Sequence, residues 1–236
     1  MRVHWLQHVP FEGLGTITSW AEQNNHIFTS TRFWAVETLP EPADIQMLVV
    51  MGGPMGVYDE DEYSWLRGEK HFIRAVADNG AGILGVCLGA QLLAEVFGAE
   101  VYKNKEQEIG WYPVSRSAKV PDWLVDVFPG ELNVLHWHGD TFDIPAGGTG
   151  FCSSAACVNQ GFVIGDRLIG LQFHLELRLE DLAVMIDNCR VELVPGPWIQ
   201  NEGGIISHST GFMERKKILA GILDYLQTKS DNRSGF

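Results

Sequence analysis

The sequence predicts an α/β fold in which a mostly parallel sheet lies between two layers of helices. In the first half of the chain, short apolar segments alternate with segments of helical spacing. This alternation is typical of a parallel sheet that is covered on both faces. In the second half, apolar segments follow one another with only turns between them. That pattern predicts an antiparallel extension of the same sheet rather than a second domain.

The first half supplies four predicted strands and three predicted helices. Alternating or continuous apolar residues predict strands, and apolar residues three and four positions apart predict helices. We expect strands at 3–9, 27–34, 47–51 and 83–86, and helices at 14–25, 65–78 and 88–97. Gly98 follows the last of these helices, where glycine commonly ends a helix.

The second half supplies the antiparallel strands and two further helices. We expect strands at 109–116, 132–138, 150–164 and 168–174, with Gly165 and Asp166 forming a hairpin turn before the last one. Helices are predicted at 179–190 and 211–228. The chain is therefore interpreted as one domain, 1–228, followed by a polar tail, 229–236.

Composition and charge limit the classes of partner. The chain has 236 residues, 45% of them hydrophobic, which is enough to bury a sizeable core. Its formal net charge is −13, and its 17 lysines and arginines form no basic stripe. Because nucleic acids and anionic membranes both attract a positive surface, we expect neither as a partner. A small molecule or another protein fits better.

The cellular compartment is suggested by three features. The N-terminal segment lacks the apolar stretch of a signal peptide, and no apolar run reaches the roughly 18 residues of a membrane span. The four cysteines include no CxxC pair, which excludes a zinc ribbon and a thioredoxin motif. We therefore expect a cytoplasmic protein with reduced thiols.

The segment GVCLG, centred on Cys87, lies where a predicted strand meets a predicted helix. A tight turn at such a corner raises the central side chain above the sheet, and the flanking Gly85 and Gly89 remove Cβ atoms that would clash there. The N-terminus of the following helix favours the thiolate form of cysteine. The segment alone fits a nucleophile and a buried structural cysteine equally well.

The segment QFHLE supplies a base for such a nucleophile. Side chains two residues apart on a strand lie on the same face, so His174 and Glu176 are expected to point the same way. A carboxylate can then orient the imidazole, as cysteine and serine nucleophiles require. By itself the pair also fits two polar residues on an edge strand.

The segment MGGPMG follows the predicted strand 47–51. Ligands of open α/β sheets gather at the carboxyl ends of the strands. A Gly-Gly-Pro turn can present free backbone N–H groups there, beside the N–H of Leu88, and so bind an oxyanion. An ordinary turn has the same sequence pattern.

Taken together, GVCLG with Gln91, QFHLE and MGGPMG resemble the class I (triad) glutamine amidotransferases. The segments EIGWYPV, HWHGD and CVNQGF resemble free-standing, GMP-synthase-like members of that family. The resemblance implies a flavodoxin-like fold and hydrolysis of glutamine to glutamate and ammonia through a γ-glutamyl thioester. It also implies a triad in which Cys87 is the nucleophile, His174 the base and Glu176 the residue that orients the base.

The resemblance further implies how the substrate is held. Backbone N–H groups of Gly53 and Leu88 would bind the oxyanion. Substrate contacts would come from Gln91, Trp137, Gly139 and Asp140. The family usually has proline between the triad histidine and glutamate, where this chain has Leu175. Since that side chain points away from the His–Glu face, we expect the triad to survive the change.

Two questions of function stay open at this level. The chain shows no SGGxDS-type loop and no GxxxxGK[ST] motif, so the ammonia acceptor would belong to a separate synthase subunit. A γ-glutamyl peptidase or hydrolase that uses the same triad is the alternative activity. A non-catalytic regulatory subunit is disfavoured because all three triad residues are present.

The string HWHGD raises the alternative of a metal site. His136, His138 and Asp140 match the H-x-H-x-D pattern of metallo-β-lactamase-like enzymes. The next histidine of that pattern is absent, and the remaining histidines form no second cluster with ligand spacing. We therefore expect no metal ion and no other cofactor.

Overall fold

The computed structural model describes residues 1–118 and 120–231 of the chain. Within these residues a single nine-stranded sheet forms the centre of the molecule, in the order β2-β1-β3-β4-β9-β8-β7-β5-β6. The strands are β1 (Arg2–Gln7), β2 (Ile27–Arg32), β3 (Met47–Val50), β4 (Gly82–Val86), β5 (Val101–Arg116), β6 (Glu131–Phe142), β7 (Gly148–Ser153), β8 (Gly161–Ile164) and β9 (Leu168–Leu171).

The sheet has a parallel half and an antiparallel half. Strands β2, β1, β3, β4 and β9 are parallel to one another, and β8, β7, β5 and β6 continue the sheet in antiparallel pairs. The two central strands β3 and β4 are buried along their whole length, which explains their continuous apolar sequences. The predicted α/β class with an antiparallel extension is confirmed.

Seven α-helices among the described residues cover the sheet. They are α1 (Thr16–Gln23), α2 (Trp65–Asp78), α3 (Leu88–Val96), α4 (Asp122–Val127), α5 (Leu179–Cys189), α6 (Glu202–Ser207) and α7 (Phe212–Asp231). Apolar residues of α1, α4 and α7 pack on one face of the sheet, and those of α2 and α3 pack on the other. The three layers are thus a helical layer, the sheet and a second helical layer. None of these helices is long and apolar enough to cross a membrane.

A third apolar cluster lies at the antiparallel end of the sheet. There α5 and α6 pack against β5 and β6 through residues that include Trp111, Trp137 and Met185. This cluster closes one side of the functional site described below.

The prediction of one strand at 150–164 is wrong. Strand β7 ends at Ser153 and β8 begins at Gly161, and a turn organised by Ser154 separates them. The Ser154 hydroxyl accepts hydrogen bonds from the backbone N–H groups of Ala156 and Cys157, at 3.3 and 3.0 Å. The apolar residues on either side of the turn favoured a continuous strand. In the structure the Ser154 hydroxyl accepts the hydrogen bonds that backbone carbonyls of a neighbouring strand would otherwise accept.

Other boundaries differ by a few residues or more. Strands β5 and β6 extend beyond the predicted 109–116 and 132–138 because they form a long hairpin-like pair with each other. Strand β9 ends at Leu171 rather than at 174, and the short helices α4 and α6 were missed. Helix α7 continues to Asp231, past the predicted end at 228. Of the predicted tail 229–236, residues 232–236 lie outside the described residues.

The carboxyl ends of four parallel strands meet at one edge of the sheet. They are those of β1, β3, β4 and β9, which are adjacent in the sheet and run in the same direction. His8, Gly52, Cys87 and Gln172 follow these strands within one or two residues. This edge is where the functional site forms, as expected for an open α/β sheet.

Candidate active site

Cys87 occupies a sharp turn between β4 and α3. Its backbone has φ 52° and ψ −109°, a left-handed conformation that is uncommon for a residue with a side chain. A Cβ on Gly85 would clash with the backbone of Gly89, and a Cβ on Gly89 would clash with the carbonyl of Val50. The two glycines of GVCLG therefore let the helix approach the sheet closely enough to form the turn.

The thiol of Cys87 faces a cavity and is only 8% exposed. Its Sγ lies 3.6 Å from the carbonyl oxygen of Trp137 and 3.8 Å from the side-chain nitrogen of Gln172. The imidazole of His174 lines the same cavity and interacts electrostatically with this thiol. Cys87 is therefore held among polar groups that point into the cavity.

His174 and Glu176 form a buried pair on the segment that follows β9. Nδ1 of His174 lies 2.6 Å from Oε1 of Glu176. Burial by itself would lower the pKa of His174, but the Glu176 carboxylate and the Cys87 thiol outweigh burial and raise this pKa well above its ordinary value. The imidazole is thus stabilised in its protonated form beside the thiol, which is the state that accompanies a thiolate.

The two predicted oxyanion donors lie close to Cys87. Within the described residues, the backbone N–H groups of Gly53 and Leu88 donate to no protein acceptor. Leu88 is the first residue of α3, whose leading N–H groups have no partner inside the helix. Gly53 lines the cavity and packs against the Leu88 side chain, since a Cβ on Gly53 would lie 3.1 Å from Leu88 Cδ2.

Sequence reasoning missed the residue that holds the Gly-Gly turn in place. This residue is His8, whose Nδ1 contacts the carbonyl oxygen of Gly52 at 2.8 Å and whose Nε2 contacts Glu69 at 2.8 Å. Glu69 and the Gly52 carbonyl outweigh burial and raise the pKa of His8, so the imidazolium donates to both. The ring also stacks against Phe33 and Trp65. His8 therefore fixes the peptide that leads into Gly53.

A cavity of about 300 Å³ opens onto Cys87. This volume is at the lower end of the range for small-molecule sites. The lining residues are Glu12, Gly53, Pro54, Met55, Gly56, Tyr58, Asp59, Cys87, Gln91, Trp137, His138, Gly139, Asp140, His174, Met185, Cys189 and Glu192. The structure therefore brings the four predicted substrate contacts, Gln91, Trp137, Gly139 and Asp140, to the same cavity as the thiol.

Several of these residues are held by neighbours. The side-chain nitrogen of Gln91 donates to Gln172 at 3.2 Å, and Gln172 in turn contacts the Cys87 thiol. The Trp137 indole donates to Glu192 at 3.3 Å. Asp140 accepts a hydrogen bond from the Tyr58 hydroxyl. The cavity wall is therefore fixed by side chains from several separate parts of the chain.

Glu12 is a second residue that sequence reasoning missed. Its carboxyl group lies against Gly52, close to Cys87, and no hydrogen-bond donor among the described residues reaches it. Burial raises its pKa to about 7, with Glu176 and Glu192 adding to the shift and His174 and His8 opposing it. Near neutral pH the Glu12 carboxyl group therefore changes between its protonated and ionised forms, close to Cys87 and His174.

The cavity is acidic. Four carboxyl groups line it, from Glu12, Asp59, Asp140 and Glu192, and no lysine or arginine does so within the part of the chain that the structure describes. A ligand with a positively charged group is therefore favoured electrostatically over an anionic one.

Burial disfavours ionisation of the other three cysteines. Burial raises the pKa of Cys189 to about 12, with Glu192 adding to the shift, although this thiol also lines the cavity. Burial also raises the pKa of Cys152 and of Cys157. All four cysteines are unpaired. Among them, Cys87 is the one that has an imidazole partner.

The histidines of HWHGD lie beside the cavity but do not match the predicted pattern. His136 and His138 converge with Glu108 of β5, and the three side chains are buried. Asp140, the acidic member of the H-x-H-x-D string, instead bonds to Tyr58. Glu108 was missed because it lies far away in sequence and reaches the histidines only through the pairing of β5 with β6.

Comparisons with known proteins agree with this geometry. The family model described as "Glutamine amidotransferase class-I" matches residues 20–193. The glutamine amidotransferase-like protein YfeJ of Salmonella typhimurium is 35% identical over 198 residues, which cover 82% of this chain and 83% of YfeJ. The glutamine-hydrolysing GMP synthase of Listeria innocua is 33% identical over 153 residues, 61% of this chain but only 28% of that synthase.

Solved structures extend the likeness to nearly the whole chain. A glutamine amidotransferase from Thermotoga maritima superposes with a TM-score of 0.87 at 33% identity, covering 96% of this chain and 98% of its own. A glutamine amidotransferase from Methylobacillus flagellatus gives a TM-score of 0.89 at 28% identity, covering 100% of this chain and 97% of its own. With the family model matching most of the chain, this protein belongs to the class I glutamine amidotransferases and is an enzyme of that family.

Proposed function

We propose that the protein hydrolyses the side-chain amide of glutamine to glutamate and ammonia, with Cys87 as the nucleophile. The main support is the arrangement of three side chains at one edge of the sheet. The Cys87 thiol is partnered by His174, whose Nδ1 lies 2.6 Å from Glu176. A nucleophile, a base and a carboxylate that orients the base are the groups that acyl transfer requires.

In the first half of the reaction the thiolate of Cys87 attacks the amide carbon of the substrate. His174 holds the proton taken from the thiol and passes it to the departing nitrogen, so that the C–N bond breaks and ammonia leaves. A γ-glutamyl thioester then links the substrate to Cys87. Glu176 keeps the ring oriented and stabilises its positive charge throughout.

In the second half a water molecule replaces ammonia. His174 removes a proton from this water, which attacks the thioester carbon, and the C–S bond breaks. The proton returns to the sulfur, and glutamate is released. In both halves the backbone N–H groups of Gly53 and Leu88 bind the negative oxygen of the tetrahedral intermediate. Removing one such donor typically reduces the rate about 10²–10³-fold.

The cavity wall would hold the amino-acid end of the substrate. Gln91, fixed by Gln172, borders the thiol. The segment that contains Trp137, Gly139 and Asp140 forms another part of the wall, and the carboxylate of Asp140 suits an α-amino group. These contacts would set the distance between the reacting carbon and Cys87.

We further propose that the ammonia is used by a separate acceptor subunit in the cytoplasm. The matched GMP synthases are named as glutamine-hydrolysing, and the aligned region makes up about a quarter of their length. In this proposal the acceptor reaction takes place on another polypeptide. The unpaired state of all four cysteines is compatible with a reducing compartment.

A second candidate activity is hydrolysis of γ-glutamyl amides that have a larger leaving group. The acidic lining of the cavity favours it, because Glu12, Asp59, Asp140 and Glu192 would attract a γ-glutamyl amine with a positive charge on its leaving side. The same triad and the same thioester would be used, and an amine would leave in place of ammonia.

A panel of substrates tests both activities. Purified protein is incubated with glutamine, with γ-glutamyl dipeptides and with γ-glutamyl polyamines, and the release of glutamate is measured for each. We expect the highest kcat/KM with glutamine, and no release from any substrate by Cys87→Ala. A higher kcat/KM with cationic γ-glutamyl amines would instead support the second activity. Release that persists in Cys87→Ala would contradict both.

A further inference from the structure

Three buried side chains converge beside the cavity from two paired strands. Glu108 of β5 lies directly opposite His138 of β6, and His136 lies two residues before His138 on the same face. The side chains of Glu108 and His136 are fully buried, and that of His138 is 1% exposed. One nitrogen of each ring and one carboxylate oxygen all lie within 4.8 Å of one another. We call these three residues the β5–β6 cluster.

In each histidine, the ring nitrogen that faces away from Glu108, here called the outer nitrogen, is hydrogen-bonded to a backbone carbonyl. His136 Nε2 donates to the carbonyl oxygen of Tyr112 at 3.3 Å, and His138 Nδ1 donates to that of Asp140 at 3.0 Å. A carbonyl oxygen only accepts, so these two nitrogens carry the protons. In a neutral ring the inner nitrogens, Nδ1 of His136 and Nε2 of His138, then present lone pairs toward the Glu108 carboxylate. The side-chain nitrogen of Gln160 also lies 3.4 Å from Nε2 of His138.

Distances inside the cluster fit a shared cation better than hydrogen bonds. Oε2 of Glu108 lies 3.5 Å from Nδ1 of His136 and 3.4 Å from Nε2 of His138. Both distances are longer than the contacts of the other two ring nitrogens with backbone carbonyls, at 3.3 and 3.0 Å, and longer than the commonest N–H···O distance of about 2.9–3.0 Å. They match the separation of about 3.3 Å between two ligands of a tetrahedral ion with bonds of roughly 2.0–2.1 Å.

Two atoms of the cluster also lack a protein partner. Oε1 of Glu108 and Nδ1 of His136 are buried without a hydrogen bond to any described residue. An unpartnered buried acceptor destabilises a fold by roughly 1–3 kcal/mol, so such atoms call for a donor or a cation.

Outer hydrogen bonds hold the carboxylate in the same way that they hold the rings. The hydroxyl of Ser154 and the side-chain amide of Gln160 donate to Oε2 of Glu108 at 2.9 and 2.7 Å. Histidine ligands that donate their other nitrogen to a carbonyl, and carboxylate ligands that are themselves hydrogen-bonded, are the usual surroundings of a protein metal ion.

We propose that Glu108, His136 and His138 bind a divalent transition-metal ion of the zinc type. Two imidazoles and one carboxylate suit Zn²⁺, whereas Mg²⁺ and Ca²⁺ prefer a shell of oxygen ligands. His138 lines the cavity, which provides a route of entry. Because Trp137 and Gly139 flank His138 and line the same cavity, the ion would fix the wall that faces Cys87.

Metal binding by the purified protein tests this site without any measurement of activity. The tag is removed, the protein is treated with a chelator, and Cys87→Ala is used as the background so that the active-site thiol binds no ion. We expect one Zn²⁺ per chain by elemental analysis after dialysis. At about 100 times the dissociation constant, Zn²⁺ should raise the unfolding temperature by about 5–10 °C.

Matched variants and a spectroscopic probe locate the ion. Glu108→Gln and His136→Gln should abolish the rise in unfolding temperature, whereas His71→Gln, which changes an exposed histidine on α2, should leave it unchanged. Co²⁺ bound to Cys87→Ala, in which the β5–β6 cluster is intact, should show no thiolate charge-transfer band. This result does not depend on whether the cluster variants fold. Absence of binding, binding that both cluster variants retain, or a thiolate band would each overturn the proposal.

Discussion

The backbone N–H of Leu175 donates to Oε2 of Glu176 at 3.0 Å. The other oxygen of the same carboxylate, Oε1, contacts His174. Where the family usually has proline, this chain therefore has a residue whose N–H helps to orient the Glu176 carboxylate, and proline has no N–H to donate. Leu175 is 2% exposed and belongs to the apolar cluster that α1, α4 and α7 form with the sheet. This position thus supports the carboxylate through its backbone.

Replacing Leu175 with proline should weaken the triad. The lost hydrogen bond has a charged acceptor, and such bonds contribute about 1.5–3 kcal/mol. If part of that energy orients Glu176 during catalysis, kcat falls about tenfold, since 1.36 kcal/mol corresponds to tenfold in rate. Leu175→Met keeps the N–H and most of the side-chain volume, so it is the control and should retain nearly full kcat. Equal activity of the two variants would show that the N–H has no such role.

Glu176→Gln should change the acidity of the thiol–imidazole pair. Burial lowers the pKa of His174 and the Glu176 carboxylate raises it, so removal of that charge lets burial dominate. The protonated ring then becomes less stable, and the thiolate of Cys87 forms only at higher pH. The rate of alkylation by iodoacetamide is measured as a function of pH. The pH at which this rate increases should be higher for Glu176→Gln than for the unchanged protein. Coincident pH profiles would contradict the assigned role of Glu176.

Glu12→Gln should stabilise the fold at alkaline pH. Because the pKa of Glu12 is raised to about 7 in the folded state, folding is opposed once the carboxyl ionises. That penalty is absent below the unfolded pKa, about 4.3, and grows until the pH passes 7, where it reaches at most about 4 kcal/mol.

Urea denaturation of both proteins at pH 4 and pH 8.5 measures the effect of Glu12. The variant should gain stability relative to the unchanged protein at the higher pH and show little gain at the lower one. An equal difference at both pH values would mean that ionisation of Glu12 is not the cause.

Gly89→Ala should destabilise the nucleophile turn. The added Cβ would overlap the carbonyl oxygen of Val50, which is backbone and cannot move aside as a side-chain end would. We expect a loss of about 1–3 kcal/mol or more in unfolding free energy. Gly68→Ala on α2 is the matched control, since nothing lies within 4 Å of the new Cβ. It should stabilise the protein by roughly 0.5–1 kcal/mol. A neutral Gly89→Ala would show that the turn tolerates a wider separation of α3 and β3.

The parts of the site that sequence could predict are those fixed by local pattern. Cys87 was recognisable because two glycines and a strand-to-helix corner constrain its neighbours, and His174 and Glu176 because a spacing of two puts them on one face. Both inferences needed only contacts close in the sequence. The sheet class followed in the same way from the alternation of apolar strands and helices.

Other features depend on contacts between distant segments. Glu12 and His8 reach the site because β1 lies beside β3 in the sheet, and Glu108 reaches His138 through the β5–β6 register. The turn at Ser154 depends on a side chain that replaces a backbone partner, which hydrophobic periodicity cannot detect. Local pattern therefore pointed to the proposed nucleophile and base, but not to the residues that position or charge their surroundings.

Labelling by a glutamine-derived chloroketone, located by peptide mass spectrometry, tests the central role of Cys87 most directly. Cys189 lines the same cavity, but burial raises its pKa to about 12. It therefore shows whether a thiol in this cavity is labelled simply because the reagent can reach it. We expect one label per chain, on Cys87, with glutamine protecting against labelling. Cys87→Ala should lose both the label and glutamate release, while Cys189→Ala should keep both. Labelling at Cys152, Cys157 or Cys189, or glutamate release by Cys87→Ala, would contradict the account.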